Sequence, residues 1–203
     1  MGLISTSSSF CRYQVKDPVP KDYHEHYAQE IRRNCFREIE ENSDIERSSG
    51  WVNIMNIFDT AFPGEEFFQD TFIALSLRID TRRIPSHILR QYCTKAEEEK
   101  KADIGKNFLS KEDRENIRDR VKFQLLRKII PTIRTFDMIW DIHKGEILFS
   151  SLNEKIGDEF QELFKKTFDC YALPLCPYTM AQDMLTDEQK NMLEDISSES
   201  FVE

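Results

Sequence analysis

Along this chain, apolar positions alternate, cluster, or recur every third and fourth residue, and each pattern predicts an element. Phe10 to Val15 sets Cys11, Tyr13 and Val15 against Arg12 and Gln14, the period of two expected of a half-buried strand. Pro18 and Pro20 break it. Asp22 then stands where it can cap a helix reaching about Phe36, whose apolar stripe is Tyr23, Tyr27, Ile31 and Cys35 or Phe36. A polar loop from Glu40 to Ser49 leads to a short strand at Gly50-Trp51-Val52. Thr71 to Ile79 is apolar at both parities, at Phe72, Ile73, Ala74 and Leu75, which predicts a strand buried in a sheet.

Beyond Ile79 the apolar pattern thins. Pro85-Ser86 opens a helix to about Ala102, and Gly105 breaks it. Ser110-Lys-Glu-Asp113 reads as a capping box for a second helix to about Ile130. Ile117, Val121, Leu125 and Ile129 fall on one side of it, Lys111, Arg114, Arg118 and Lys122 on another. With little apolar surface between Lys95 and Ser110, the pair predicts a projecting hairpin rather than core.

Pro131 ends that arm. Asp137 to Ile142 and Glu146 to Ser150 predict a hairpin about Lys144-Gly145, with Met138 and Trp140 on one face. Ser151-Leu-Asn-Glu154 reads as a capping box ahead of the stripe Ile156, Phe160, Leu163, Phe164 and Phe168. Tyr171 to Leu175 is a last short strand, interrupted at Pro174 and Pro177. Beyond Asp183, Met184, Leu185, Met192, Leu193 and Ile196 lie among acids, as a docked short helix or a frayed end. The expected class is α+β: antiparallel sheets with packed amphipathic helices and a projecting charged two-helix arm. Four portions are expected: strand/helix/strand over 1–80, a basic arm over 81–135, a ββαβ unit over 136–180 and an acidic tail over 181–203.

Composition adds bounds. The 203 residues, 39% hydrophobic with 15 Phe, suffice for a real core. No run of about 18 apolar residues would span a membrane. Met1-Gly2-Leu3-Ile4 followed by Ser5 to Ser9 lacks the basic and long apolar regions of a secretory leader. Gly2 near Thr6 or Ser7 is too little to argue myristoylation. The 5 cysteines are odd in number and scattered, with no C-x-x-C pair, so reduced thiols and a cytoplasmic location are expected.

Charge changes the picture most. From Arg78 to Arg134 there are 16 cations against 9 carboxylates, while the whole chain is −9. A basic stretch within an acidic protein suggests a nucleic-acid surface, although a solvated face of mixed sign would have the same composition. Arg82, Arg83, Arg90, Lys95, Lys100, Lys101, Lys111, Arg114 and Arg118 are the expected phosphate contacts. No aromatic residue interleaves with the cations between Lys95 and Lys106, which argues against single-strand stacking. No helix-turn-helix bend argues for base reading.

Catalytic signals are thin. His24-Glu25-His26 lacks the i, i+4 spacing that sets two imidazoles on one helix face. His87 and His143 stand alone, and with 6 glycines there is no phosphate-cradling loop. Asp137, Asp141 and Glu146 are the best carboxylates for a metal-dependent nuclease, with Glu146 across a turn of unknown register. Glu98-Glu99-Lys100 spells the short acid-x-lysine element of some nucleases, but on a helix, where ion pairing is the simpler reading. No catalytic residue, metal or cofactor is expected.

In order and spacing, the chain resembles the RdgC family of bacterial recombination-associated proteins over roughly Phe10 to Tyr178. The resemblance rests on Gly50-Trp51-Val52, then Ile73-Ala-Leu-Ser-Leu-Arg78 leading to Arg83-Ile84-Pro85-Ser86, and a charged arm with Ala96-Glu97. Met138-Ile-Trp140-Asp141, Gly145 and Leu163-Phe-Lys-Lys-Thr-Phe168 complete it. It implies an α/β homodimer that closes around duplex DNA without sequence preference and restrains the RecA recombinase, associated with the nucleoid. Older descriptions of some members as exonucleases are implied with it, without an established catalytic site. It also implies a shorter form that lacks the C-terminal part of longer members. Leu126-Arg-Lys-Ile-Ile-Pro131 stands where the family has a Leu-Pro-Arg-Ala-Phe-like segment. Ile130 thus replaces a ring-closing Phe, and closure stays open. An interaction module of the recombination machinery is the third expectation.

Overall fold

Thirteen elements follow one another among the described residues of the computed structural model. They are β1 (Cys11–Gln14), α1 (Tyr23–Arg33), β2 (Arg47–Asn53), β3 (Phe68–Gln69), β4 (Phe72–Thr81), α2 (Ser86–Ile104), α3 (Lys111–Leu126), β5 (Thr132–Asp141), β6 (Glu146–Phe149), α4 (Glu154–Phe168), β7 (Leu173–Pro174), α5 (Pro177–Met184) and α6 (Asp187–Glu194). The structure describes residues 9–105 and 108–194. The readings of Met1 to Ser8, Lys106 and Ile196, and of the Leu193 side chain, lie outside the described residues.

The class is α+β, as expected. Six strands form one sheet in the order β2-β4-β5-β6-β1-β7, with β3 on the end of β4. Every pairing between strands is antiparallel. The ladder between β4 and β5 runs ten residues, from Phe72↔Asp141 to Thr81↔Thr132. The arm is therefore the connection between the two central strands and leaves the sheet at Thr81 and Thr132. That position fixes where any arm surface sits relative to the body.

One face of the sheet is the core. Ile73, Leu75, Leu77 and Ile79 of β4 alternate inward beside Met138, Trp140, Ile147, Phe149 and Tyr13. Tyr27, Ala28 and Ile31 of α1 and Ile156, Phe160, Phe164 and Phe168 of α4 cover them. The α4 stripe packs as expected, and the α1 stripe does so through Tyr27 and Ile31 but not Phe36, which lies against Arg78. Phe149 stacks on Phe160 with ring centroids 4.1 Å apart. Trp51 donates from Nε1 to Thr167 Oγ1 at 2.8 Å, satisfying a polar atom that burial would otherwise strand.

The other face corrects the expectation for β4. Its buried residues there are polar: Ser76, Arg78 and Asp80. Arg78 holds the Asp80 carboxylate through Nε and Nη2, each at 2.8 Å, and lies over the Phe36 ring at 4.2 Å. Desolvating that charge is tolerable because its donors are matched. Phe72 and Ala74, expected to be buried, are partly exposed.

Local corrections follow from hydrogen bonding. α1 stops at Arg33, because Asn34 and Phe36 turn to bond Trp51. This parallel bridge covers the outer edge of the sheet. Asp22 makes no side-chain cap. The cap of α4 is Asn153, whose side chain accepts from the Ile156 N–H, and not Ser151. α3 ends at Leu126, so Ile129 lies beyond the helix. β5 begins at Thr132, earlier than the pattern predicts, because β4 supplies a partner for every residue. The tail forms α5 and α6, with Met184 and Met192 84% and 69% exposed, so these side chains are not docked.

Candidate nucleic-acid interface

The arm is built from local signals. Pro85 precedes α2 and Gly105 closes it at φ 66°, a left-handed turn that glycine adopts without a Cβ penalty. Ser110 caps α3 with both halves of a capping box formed, Ser110 Oγ to Asp113 and Asp113 back to Ser110. The same carboxylate accepts from Lys100 Nζ at 2.5 Å. One side chain thus caps α3 and ties it to α2. The Lys100 hydrogen bond, then that of Ser110, holds the Asp113 carboxyl down at about 2.

Between the helices is a small separate core. Leu109, Ile117 and Val121 are buried, with Leu89, Cys93, Ala96 and Leu125 packed against them. No residue of α2 is buried outright, as expected of an arm. Burial, ahead of any nearby charge, raises the Cys93 thiol above its ordinary range.

The two sides of this hairpin differ in charge. On one, a groove of about 400 Å³ has Leu89 and Cys93 in its lining with Arg90, Lys111, Arg114 and Arg118, against Glu97 and Glu115. On the other, a groove of about 480 Å³ carries Lys100 and Arg120 against Glu99 and Asp103. The first has an excess of two positive charges and the second none. A third hollow at the arm's root is lined by Gln124, Arg127 and Lys128.

The nine expected contacts divide accordingly. Arg90, Lys111, Arg114 and Arg118 come together in the first groove. Lys101 shares a helical side with Arg90, eleven residues or three turns on. Arg83 is exposed at the root. Lys95 points to Glu99 at 4.0 Å, and Lys100 is taken by Asp113 in the neutral groove. Arg82 is a correction: it is 4% exposed and donates to the carbonyls of Glu40 and Ile39, each at 3.1 Å. Its charge ties a loop to the sheet, and Arg82 leaves the candidate set. Arg120, Arg127 and Lys128 belong to the same charge excess without standing among the nine. Their placement depends on how the helices pair, which spacing alone does not give.

The register now places the three carboxylates. Asp141 lies opposite Glu146, and Asp137 lies four residues from Asp141 on the same strand. Each is engaged. Asp137 accepts from Ser76 Oγ at 2.6 Å, and Asp141 accepts the His143 and Lys144 N–H groups at the hairpin turn. Glu146 pairs with Arg12 at 3.3 Å. Among the described residues, no three His, Cys, Asp or Glu side chains are grouped to hold a metal ion. No described helix is long and apolar enough to cross a membrane.

The family model described as "Putative exonuclease, RdgC" matches residues 9–188. The chain belongs to the RdgC family. The match takes in the whole sheet, the entire arm and all three carboxylates, so the RdgC pattern covers every element on which the site is built. Comparison with curated proteins finds no match.

Proposed function

We propose that this RdgC-family protein binds double-stranded DNA without sequence preference and acts in recombination, with the arm as its phosphate-contacting element. The partition of charge between the two grooves supports this reading. Arg90, Lys111, Arg114 and Arg118 gather on one side, while the other side is neutral. A duplex backbone rewards cations that converge from two helices, because each neutralised phosphate releases condensed counterions. Among the described residues no aromatic side chain lines the charged groove, so these offer no platform for unpaired bases. Homodimer formation and restraint of RecA are corollaries of the family reading. The test is competition between a labelled duplex and its own single strand: duplex is preferred, and equal affinity refutes the duplex assignment.

Exonuclease chemistry is the second reading, favoured by the family's description. Asp137, Asp141 and Glu146 would carry it. Mg²⁺-dependent loss of labelled DNA, abolished by Asp141→Ala in a protein that still folds, is its signature.

A further inference from the structure

A pocket of about 430 Å³ opens at the outer edge of β2, outside the arm. Arg33 from the end of α1, Arg37 from the following loop and Lys166 from the last turns of α4 line it, with Ser48 and Ser49 of β2. Among the described residues, no carboxylate is in its lining. Three cations from three separate segments meet there, on a chain whose net charge is −9.

Helix dipoles give the ordinary account of cations in such positions. That account covers Arg33 and Lys166 individually, but not Arg37, which belongs to no helix. At α1 the terminal carbonyl of Glu30 is already taken, by the backbone N–H and the side-chain amide of Asn34. The Arg33 guanidinium reaches Glu30 at 3.4 Å, an exposed pair of little strength that a bound anion can displace. Among the described residues, Arg37 and Lys166 have no ion-pair partner. Ser48 donates to the Arg37 carbonyl at 2.6 Å, fixing the loop that carries Arg37. The Ser49 hydroxyl has no hydrogen-bond partner among the described residues.

We propose that this pocket is a second phosphate site, which holds backbone phosphate of the same duplex beyond the arm. The proposal rests on the reading of the arm as a duplex binder. Two guanidinium forks and an ammonium match the geometry of phosphate oxygens, and the Ser49 hydroxyl supplies a neutral donor. Position favours DNA over other phosphate carriers. Ser48 and Ser49 pair with Asp80 and Ile79, only a few residues before Arg83 and the root of the arm. At about 3.3 Å per strand residue, these serines stand roughly 10–15 Å along the sheet from Arg83, within one turn of a duplex.

The test compares the full chain with its Arg33→Gln/Arg37→Gln/Lys166→Gln variant, all three side chains being exposed. Anisotropy with a labelled 20-base-pair duplex is followed over a salt series. In parallel, amide NMR shifts are recorded with inorganic phosphate. The variant should keep its melting temperature while its log–log salt slope flattens by about 0.9 or more, one phosphate contact. Phosphate should shift the amides of Ser48 and Ser49 in the wild type only. Wild-type binding with an unchanged slope in the variant overturns the DNA assignment. Phosphate shifts alongside that result would instead indicate a phosphopeptide or lipid headgroup. Absence of phosphate shifts in the wild type overturns the anion site itself. A wild type that binds no duplex refutes the arm reading, and the duplex as this pocket's ligand falls with it.

Discussion

Ile117→Ala tests whether the arm is a stability unit distinct from the sheet. Ile117 is 2% exposed and sits in the three-residue buried cluster of the arm. Removing three carbons forfeits roughly 2.4 kcal/mol of transfer free energy at about 0.8 per carbon. The cavity adds to this, but an open groove flanks the site and lets it collapse, so the total stays near 3 kcal/mol, low in the range for such substitutions. Helices in proteins take most of their stability from tertiary packing, and this cluster is the main shared core of these two. The arm should therefore open locally while the sheet holds. Hydrogen exchange read by mass spectrometry should show lost protection over residues 86–126. The fluorescence melt of Trp51 and Trp140, both fully buried in the sheet core, should shift by no more than a degree or two. A parallel collapse of both signals, or an arm that stays protected, refutes the reasoning.

Gly145→Ala should cost more than Gly105→Ala. Both glycines have positive φ, but a Cβ at Gly145 would lie 2.4 Å from the Val15 carbonyl oxygen, whereas one at Gly105 would meet nothing within 4 Å among the described residues. The expected losses are about 1–2 kcal/mol of left-handed strain at Gly105 and distinctly more at Gly145, read as denaturant midpoints; equal losses refute the clash. Asp113→Asn should weaken exchange protection of the arm at neutral pH. The folded carboxyl is lowered from 3.8 to about 2, so its contribution is present above 3.8 and lost as pH falls toward 2. The difference between wild type and variant should narrow over that window, and a difference that stays constant from pH 3.8 down to about 2 would contradict the assignment.

Much of the fold was legible because its signals are local. Ile156, Phe160, Phe164 and Phe168 recur at helical spacing and pack as one face, and Ser110 with Asp113 marks a helix start that forms. What the chain hid depends on distant partners. Thr132 and Ile133 carry no alternation that marks a strand, and they are strand because β4 runs beside them. Arg78 and Arg82 look like two more members of a basic run, yet both are buried by partners supplied from elsewhere in the chain. The charge excess showed that a basic surface exists. The pairing of α2 with α3 decided that Arg90 and Arg118 share a groove while Lys100 faces the other way. The convergence of Arg33, Arg37 and Lys166 had no sequence signal, since three segments build it.

The central claim is that the arm clamps duplex phosphates. Its most direct test is anisotropy in EDTA over a salt series, using two labelled duplexes of unrelated sequence. Wild type and Arg114→Ala/Arg118→Ala would be compared. Log affinity should fall linearly with log salt, at about −0.9 per phosphate contact, with a slope flatter by about 1.8 in the variant on both duplexes. No binding at low salt, or a variant that keeps the wild-type slope, would contradict it.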